Sequence, residues 1–268
     1  MSKQSIRRAH QETQAAWEAN AATWDALMGD EGNDFVNLLC WPAIERLLKV
    51  KPGQTVLDIA CGNGLLSRRL AALGAQVTAF DFSPKLIKSA KQRSRKGSLI
   101  SYHVLDATDK QALLALGKGW FDSALSNMAL FDMAEIEPLF HATSKLLKPG
   151  GAFVFTLMHP AFNNPSSTLM AEEWDDGELH TRYAVKTHRY QTAFQARGLA
   201  LRNQPKPQWY FHRPLQEYFN LGFRFGFVLD GFEELAFPVD RPQSSLLGWG
   251  GKFSEIPPVL AARLRLAV

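Results

Sequence analysis

With 268 residues, 46% of them apolar and 21% charged, the chain can bury a full-sized core as one large domain or as a domain with an elaboration, which excludes disorder as its default state. No apolar run approaches the roughly 18 residues of a membrane helix, and the stretch from Met1 to Trp17 is too polar for a secretory signal, so a cytoplasmic protein is expected. The net charge of +4 permits an anionic partner but falls short of a nucleic-acid binder's dense basic stripe, and Cys40 and Cys61 form no CxxC or Cys/His pattern, so neither disulfide framework nor metal site is expected.

Residues 4–28 are polar and alanine-rich with Trp17, Ala21, Trp24 and Met28 at helical spacing, which predicts one or two amphipathic helices. Another follows over 42–50, with Ile44, Leu47 and Leu48 on its apolar face and Pro52-Gly53 ending it. The pattern then changes to short apolar runs at 55–60, 76–80, 99–105, 120–126 and 152–158, alternating with helical stretches at 64–73, 84–95, 110–116 and 136–147. Such alternation predicts βαβ units, and hence an α/β fold with a mostly parallel Rossmann-like sheet covered by helices on both faces. Ser83-Pro84 is an N-cap followed by proline at the first helical position, and "LLKPGG" (146–151) reads as a helix stop before a strand.

Residues 160–212 break the rhythm, with Pro165, Pro205, Pro207, a possible strand at 183–190 and the aromatic run "QWYFHRP". A stretch this long predicts a lid or binding elaboration rather than a bare loop. Afterwards 215–225 reads as a helix, 227–237 as a strand, and 256–268 as a last strand or a short helix. The expected organisation is an N-terminal helical lid (1–50), a cofactor-binding core (51–159), an inserted cap (160–212) and a segment completing the sheet (213–268).

The stretch "VLDIACGNG" (56–64) is a strand running into a glycine turn, which admits a ligand to the backbone and sets a helix N-terminus beneath it. The dinucleotide fingerprint is incomplete, since Ser67 stands where the last glycine would be, and a carboxylate at Asp58 disfavours a pyrophosphate but suits a cation. Asp81 ends the next strand, placed to accept from ribose hydroxyls, and Asp106 ends the third. Carboxylates at three successive strand ends line the crevice where open α/β sheets bind ligands. An ammonium, a sulfonium, a ribose diol and an adenine amino group would together fit them.

In order, "VLDIACGNG", "AFDFSP", "VLDATD", "FDSALSNMAL" and "LLKPGGAFVFTLMHP" resemble the motifs of class I S-adenosylmethionine-dependent methyltransferases of the small-molecule type called methyltransferase type 11, over about residues 53–159. The resemblance implies a seven-stranded sheet and S-adenosylmethionine as cofactor, leaving S-adenosylhomocysteine as product. It implies that Asp58, Ala60, Gly62 and Gly64 hold the methionine portion, that Asp81 and Phe82 take the ribose and one adenine face, that Asp106 and the Ala107 backbone meet the adenine amino group, and that Asn127 and Met128 flank the sulfonium. The resemblance also implies that Trp24 belongs to a helix that closes over the cofactor, with core packing as the alternative, and the place of Cys61 in the turn suits a small packing residue beside the cofactor rather than a nucleophile. Ala60 replaces the first glycine of the usual Gly-x-Gly-x-Gly form, and "SNMALF" lacks the prolines of the box that serves nucleobase amino groups.

Methyl transfer from a sulfonium is an in-line displacement, so alignment and exclusion of water dominate, and a base is needed only where the acceptor must lose a proton. His159, directly after the fifth strand, is the candidate base; strand termination is its structural alternative. Trp17, His212 and Tyr218 are candidate acceptor contacts, and Trp174, Tyr190, Trp209, Tyr210 and Phe211 either wall an apolar pocket or, for most of them, pack the insertion onto the sheet. The cations between Lys85 and Lys96 share a helix with buried-face residues Leu86, Ile87 and Ala90 and read as a solvated face. The expected activity is methyl transfer to an oxygen, nitrogen or carbon of a small metabolite, with no nucleic acid or membrane partner. An RNA methyltransferase and a non-catalytic cofactor-binding regulator are the alternatives, and a nicotinamide dehydrogenase is disfavoured by Ser67 and Asp58.

Overall fold

The computed structural model describes residues 3–201, 203–243 and 245–268. One helix, α1 (Lys3–Met28), occupies the N-terminal segment; a turn of π-helix at Phe35–Cys40, which hydrophobic spacing alone does not single out, leads into α2 (Trp41–Leu48). The alternating region then runs β1 (Thr55–Ile59), α3 (Leu65–Ala72), β2 (Gln76–Asp81), α4 (Pro84–Arg93), β3 (Ile100–Val104), α5 (Lys110–Leu114), β4 (Phe121–Asn127), α6 (Glu137–Leu146) and β5 (Leu147–Met158). Ser83 caps α4 by accepting the Leu86 N–H at 3.2 Å. At "LLKPGG" no loop intervenes, since α6 ends at Leu146 and β5 starts at once, pairing Leu147 with Phe121.

The insertion folds as two antiparallel hairpins, β6 (Ser167–Asp175) with β7 (Leu179–Thr187), and β8 (Phe194–Gly198) with β9 (Gln208–His212). After α7 (Leu215–Arg224) come β10 (Phe227–Leu235) and β11 (Val259–Leu266), so the C-terminal apolar run is a strand. Its Val259, Leu260, Ala261 and Ala262 are buried where it inserts antiparallel between β5 and β10.

The main sheet has seven strands in the order β10-β11-β5-β4-β1-β2-β3, parallel but for β11. Core residues alternate between its faces. Leu57, Phe121, Phe153 and Phe155 pack with Leu113, Phe140 and Tyr218 from α5, α6 and α7, whereas Val56, Val77, Leu125 and Val154 pack with Ile44 and Leu70 from α2 and α3. Sequence order reverses around β1, which has β2 on one side and β4 on the other. That switch point opens a crevice at the carboxyl ends of β1, β2 and β4, where doubly wound sheets bind ligands.

Candidate active site

The turn after β1 is shaped by left-handed backbone at Ala60 (φ 55°), Gly62 (φ 56°) and Gly64 (φ 76°). Each glycine serves a different need. A Cβ on Gly62 would meet nothing within 4 Å, so its face is open to the crevice, whereas one on Gly64 would lie 2.4 Å from the Tyr102 hydroxyl and 3.0 Å from Ala90 Cβ. Alanine at position 60 holds the same conformation at a strain on the order of 1–2 kcal/mol. Met128, at the end of β4, is also left-handed (φ 53°), its N–H donating to Thr156 Oγ1 at 3.0 Å while that hydroxyl donates to Asn127 Oδ1 at 2.7 Å. Strain kept at two such points of one crevice is characteristic of ligand sites.

Asp58 is buried, accepting the Ser67 hydroxyl at 2.5 Å. Burial pushes its pKa up to about 7, opposed by Ser67 and reinforced by the charge of Asp81. Asp81 accepts the Gly62 N–H at 3.0 Å on one oxygen and the Ser83 N–H at 2.9 Å on the other. Its pKa rises to about 6 through burial, with those two donors pulling it down and Glu18 pushing it up. Two carboxylates whose charged forms burial disfavours are primed for a ligand that brings positive charge and hydroxyl donors.

Helix α1 roofs the crevice. Its Asp25 takes Arg93 Nε at 2.7 Å and Asn63 Nδ2 at 3.1 Å, and Glu18 takes the Ser83 hydroxyl at 2.5 Å, so the helix is bolted to the glycine turn and to the start of α4. The second hairpin closes the other side: Asn20 exchanges two hydrogen bonds with the Lys206 backbone at 2.8 and 2.9 Å, and Glu12 accepts Trp209 Nε1 at 2.9 Å and pairs with Arg197. Between roof and sheet lies a cavity of about 690 Å³. Asp58, Asp81, Phe82 and Asn127 line it together with Trp17, Phe131, Met133, Met158 and Tyr210.

Residues 57–155 match the family described as Methyltransferase domain. A ubiquinone biosynthesis O-methyltransferase of Xanthomonas campestris pv. campestris is 42% identical over 108 residues, covering 40% of this chain and 44% of that protein, so the match spans less than half the length of the curated relative. Among solved structures, an S-adenosylmethionine-dependent methyltransferase from Mesorhizobium loti superposes with a TM-score of 0.62 at 23% identity over 88% of this chain and all of that one. The phosphoethanolamine N-methyltransferase 2 of Haemonchus contortus, in complex with S-adenosylmethionine, does so at 0.55 and 18% identity over 83% of this chain and 46% of that one. The match to the methyltransferase family covers residues 57–155, and the superpositions show that the chain shares the fold of S-adenosylmethionine-dependent methyltransferases.

The residues present fit that cofactor. Gly62 leaves an open cradle, Asp81 keeps acceptor capacity beyond its two backbone donors, and Trp24 Nε1 is buried with no hydrogen-bond partner among the described residues. The cavity volume also lies within the roughly 300–1,000 Å³ of small-molecule sites. Asp58 and Asn127 are placed where they could hold the methionine end of such a cofactor, and Asp81 where it could hold the ribose.

Of the residues singled out in the sequence, Trp17, Trp24, Asp58, Ala60, Cys61, Gly62, Asp81, Phe82, Asn127 and Met128 line the cavity together. The others stand off it. Gly64 packs under the turn, Ala107 is buried in the core, and the Asp106 carboxylate is taken by His10 Nε2 at 2.6 Å, Gln14 Nε2 at 3.0 Å and the Thr108 N–H and hydroxyl at 2.8 Å. Burial raises the Asp106 pKa, but these donors win and hold it below the usual carboxylate range. His159 does not line the cavity: its Nε2 faces Glu234 at 2.9 Å, its Nδ1 accepts the Ala161 N–H at 3.1 Å, and both ring nitrogens are thereby committed to the protein. Burial lowers its pKa against the pull of Glu234. His212 faces the Tyr190 carbonyl at 2.7 Å and shares a small side pocket with the core residue Tyr218. Among the insertion's aromatics only Tyr210 reaches the main cavity, and Trp174 lies on the outlying first hairpin.

Sequence reasoning passed over Asp132, Gln208, Phe131 and Met133 on the cavity wall. Only one signal was there to find: Asp132 is an acid in an otherwise apolar run, "MALFDM", just past the motif at Asn127.

Proposed function

We propose that the protein transfers a methyl group from S-adenosylmethionine to a small, largely apolar acceptor, with an oxygen atom as the favoured site of attack. The observation that carries this reading is the single roofed cavity in which the carboxylate-lined cofactor side continues into a chamber walled by Trp17, Phe131, Met133, Met158 and Tyr210. When bound, the cofactor supplies an electrophilic methyl group. Asn127, fixed by Thr156, and the strained Met128 would set the position of that methyl at the boundary of the two parts. Helix α1 and the second hairpin exclude water, which favours alignment-driven displacement. Preference for oxygen draws on the X. campestris relative, whose name states O-methylation. A small acceptor is also consistent with the basic helix α4, where Lys85 and Arg93 are tied to Glu18 and Asp25 of α1.

The test is to incubate the protein with methyl-labelled S-adenosylmethionine and a cell extract, then partition the products. Label is expected in organic-soluble small molecules; label confined to precipitable nucleic acid or protein would overturn the reading.

A further inference from the structure

Asp132 closes the 3-10 turn Leu130–Asp132, five residues beyond Asn127, and lines the same cavity as Asp58 and Asp81 at only 7% exposure. Its surroundings are apolar, with Phe131 and Tyr210 stacked at 6.0 Å and Met133 beside them on the wall. Among the described residues its carboxyl receives one side-chain hydrogen bond, a long one from Gln208 Nε2 at 3.3 Å. Among the described residues no cation pairs with it: Arg197, also on the wall, is held by Glu12. The buried Arg213 guanidinium spends its hydrogens on the carbonyls of Leu130 (3.3 Å), Met133 (2.8 Å) and Ala134 (2.9 Å). Arg213 therefore clasps the loop on both sides of Asp132 without neutralising it. Burial pushes the Asp132 pKa well above the usual carboxylate range, opposed only by Gln208. A buried acid with one long hydrogen bond adds nothing to folding that an apolar residue would not add better, so its placement on a fixed loop facing a cavity points to a ligand.

We propose that Asp132 is the proton acceptor of the transfer and that the chamber beside it takes a flat, uncharged molecule bearing an aromatic hydroxyl. This rests on the methyltransferase reading above. An anionic acceptor would be repelled by the Asp132 carboxylate, and an ammonium would already carry a proton on the atom that must attack. A phenol, which ionises near pH 10, stands far closer to a buried carboxyl than an alcohol does, so the proton transfer is less uphill. The acceptor oxygen forms its bond to the methyl carbon as its proton passes to Asp132. The carbon–sulfur bond breaks with its electron pair going to sulfur, and Asp132 returns the proton to solvent after product leaves. The charges of sulfonium and carboxylate cancel in the step.

The test uses the full chain saturated with S-adenosylhomocysteine and a matched pair of probes, 4-ethylphenol and 4-ethylanisole, which differ by a methyl group in place of the hydroxyl proton. Asp132→Asn is expected to keep S-adenosylhomocysteine affinity, to weaken 4-ethylphenol by about tenfold or more through loss of a charge-assisted hydrogen bond, and to leave 4-ethylanisole unchanged. Asp132→Leu, which suits the apolar wall, is expected to show the same pattern and serves if the asparagine variant is unstable. Equal loss of both probes, no loss of 4-ethylphenol, or no saturable 4-ethylphenol binding to the wild type would overturn the proposal while leaving the methyltransferase reading intact. Failure of the wild type to bind S-adenosylhomocysteine would overturn that reading itself.

Discussion

At the scale of single residues, the two glycines of the turn separate folding from binding. Gly62→Ala adds a methyl group on the open cavity side, so it is expected to cost on the order of 1 kcal/mol of stability for the left-handed backbone and to weaken S-adenosylhomocysteine binding more than that cost explains. Gly64→Ala meets Tyr102 and Ala90 instead, and is expected to lower stability by about 2–4 kcal/mol through strain plus overpacking. Denaturant melts and calorimetry on the pair check this, and the reverse ranking would place the ligand on the wrong side of the turn. A second residue-scale expectation concerns pH. The Asp58 pKa is raised to about 7 in the fold, above its unfolded value near 3.9, so the folded state holds the proton more tightly than the unfolded chain. Stability attached to that group is complete below the unfolded pKa and is lost as pH rises through the folded one. Asp58→Asn, which never ionises, is therefore expected to gain stability relative to wild type between pH 4.5 and pH 8. Equal gaps in denaturation midpoint at the two pH values would contradict it.

At the scale of elements, α1 roofs the cavity through polar contacts spread along its length rather than through a deep core. Asp25 anchors its C-terminal end through Arg93 and Asn63, and burial of its carboxyl is outweighed by those donors, which hold its pKa down. Asp25→Ala is expected to speed amide exchange across α1 by on the order of tenfold, as loss of hydrogen bonds to a charged group implies, with little change in the β1–β5 strands. Uniform destabilisation of sheet and lid alike would show that α1 belongs to the main folding unit. The sheet was the legible part of the sequence, because strands buried on both faces, such as Phe153 to Leu157, stand out from the helical spacing between them. The N-cap at Ser83 was legible for the same local reason. Of the two hairpins of the insertion only a strand overlapping β7 was legible, since their residues are mostly half-exposed and alternate weakly, and the second is held by contacts with α1 such as Asn20 to Lys206.

At the scale of the whole molecule, the strand-end part of the cavity follows from local motifs: Asp58, Asp81 and Asn127 sit at strand ends, and the strand order alone brings them together. The rest of its wall is built from segments far apart in the chain. Trp17 comes from the lid, Asp132 from the loop after β4, and Gln208 and Tyr210 from the cap. No spacing rule joins positions so distant. The same distance explains Asp106, whose place at a strand end was evident but whose partners His10 and Gln14 arrive from about a hundred residues upstream. His159 also looked well placed in the chain, yet the approach of β10 turns its ring toward Glu234 and away from the cavity.

The crevice at the switch point is expected to bind a methionine-bearing adenosine through the strand-end carboxylates. That binding is tested most directly by calorimetric titration of the ligand-stripped protein with S-adenosylhomocysteine, NAD as control and Asp81→Ala as the variant. Saturable binding of S-adenosylhomocysteine alone is expected, weakened in the variant by about 1.5–3 kcal/mol for a lost charged acceptor. Binding of NAD in its place, or an Asp81→Ala protein that binds S-adenosylhomocysteine as tightly as the wild type, would contradict the account.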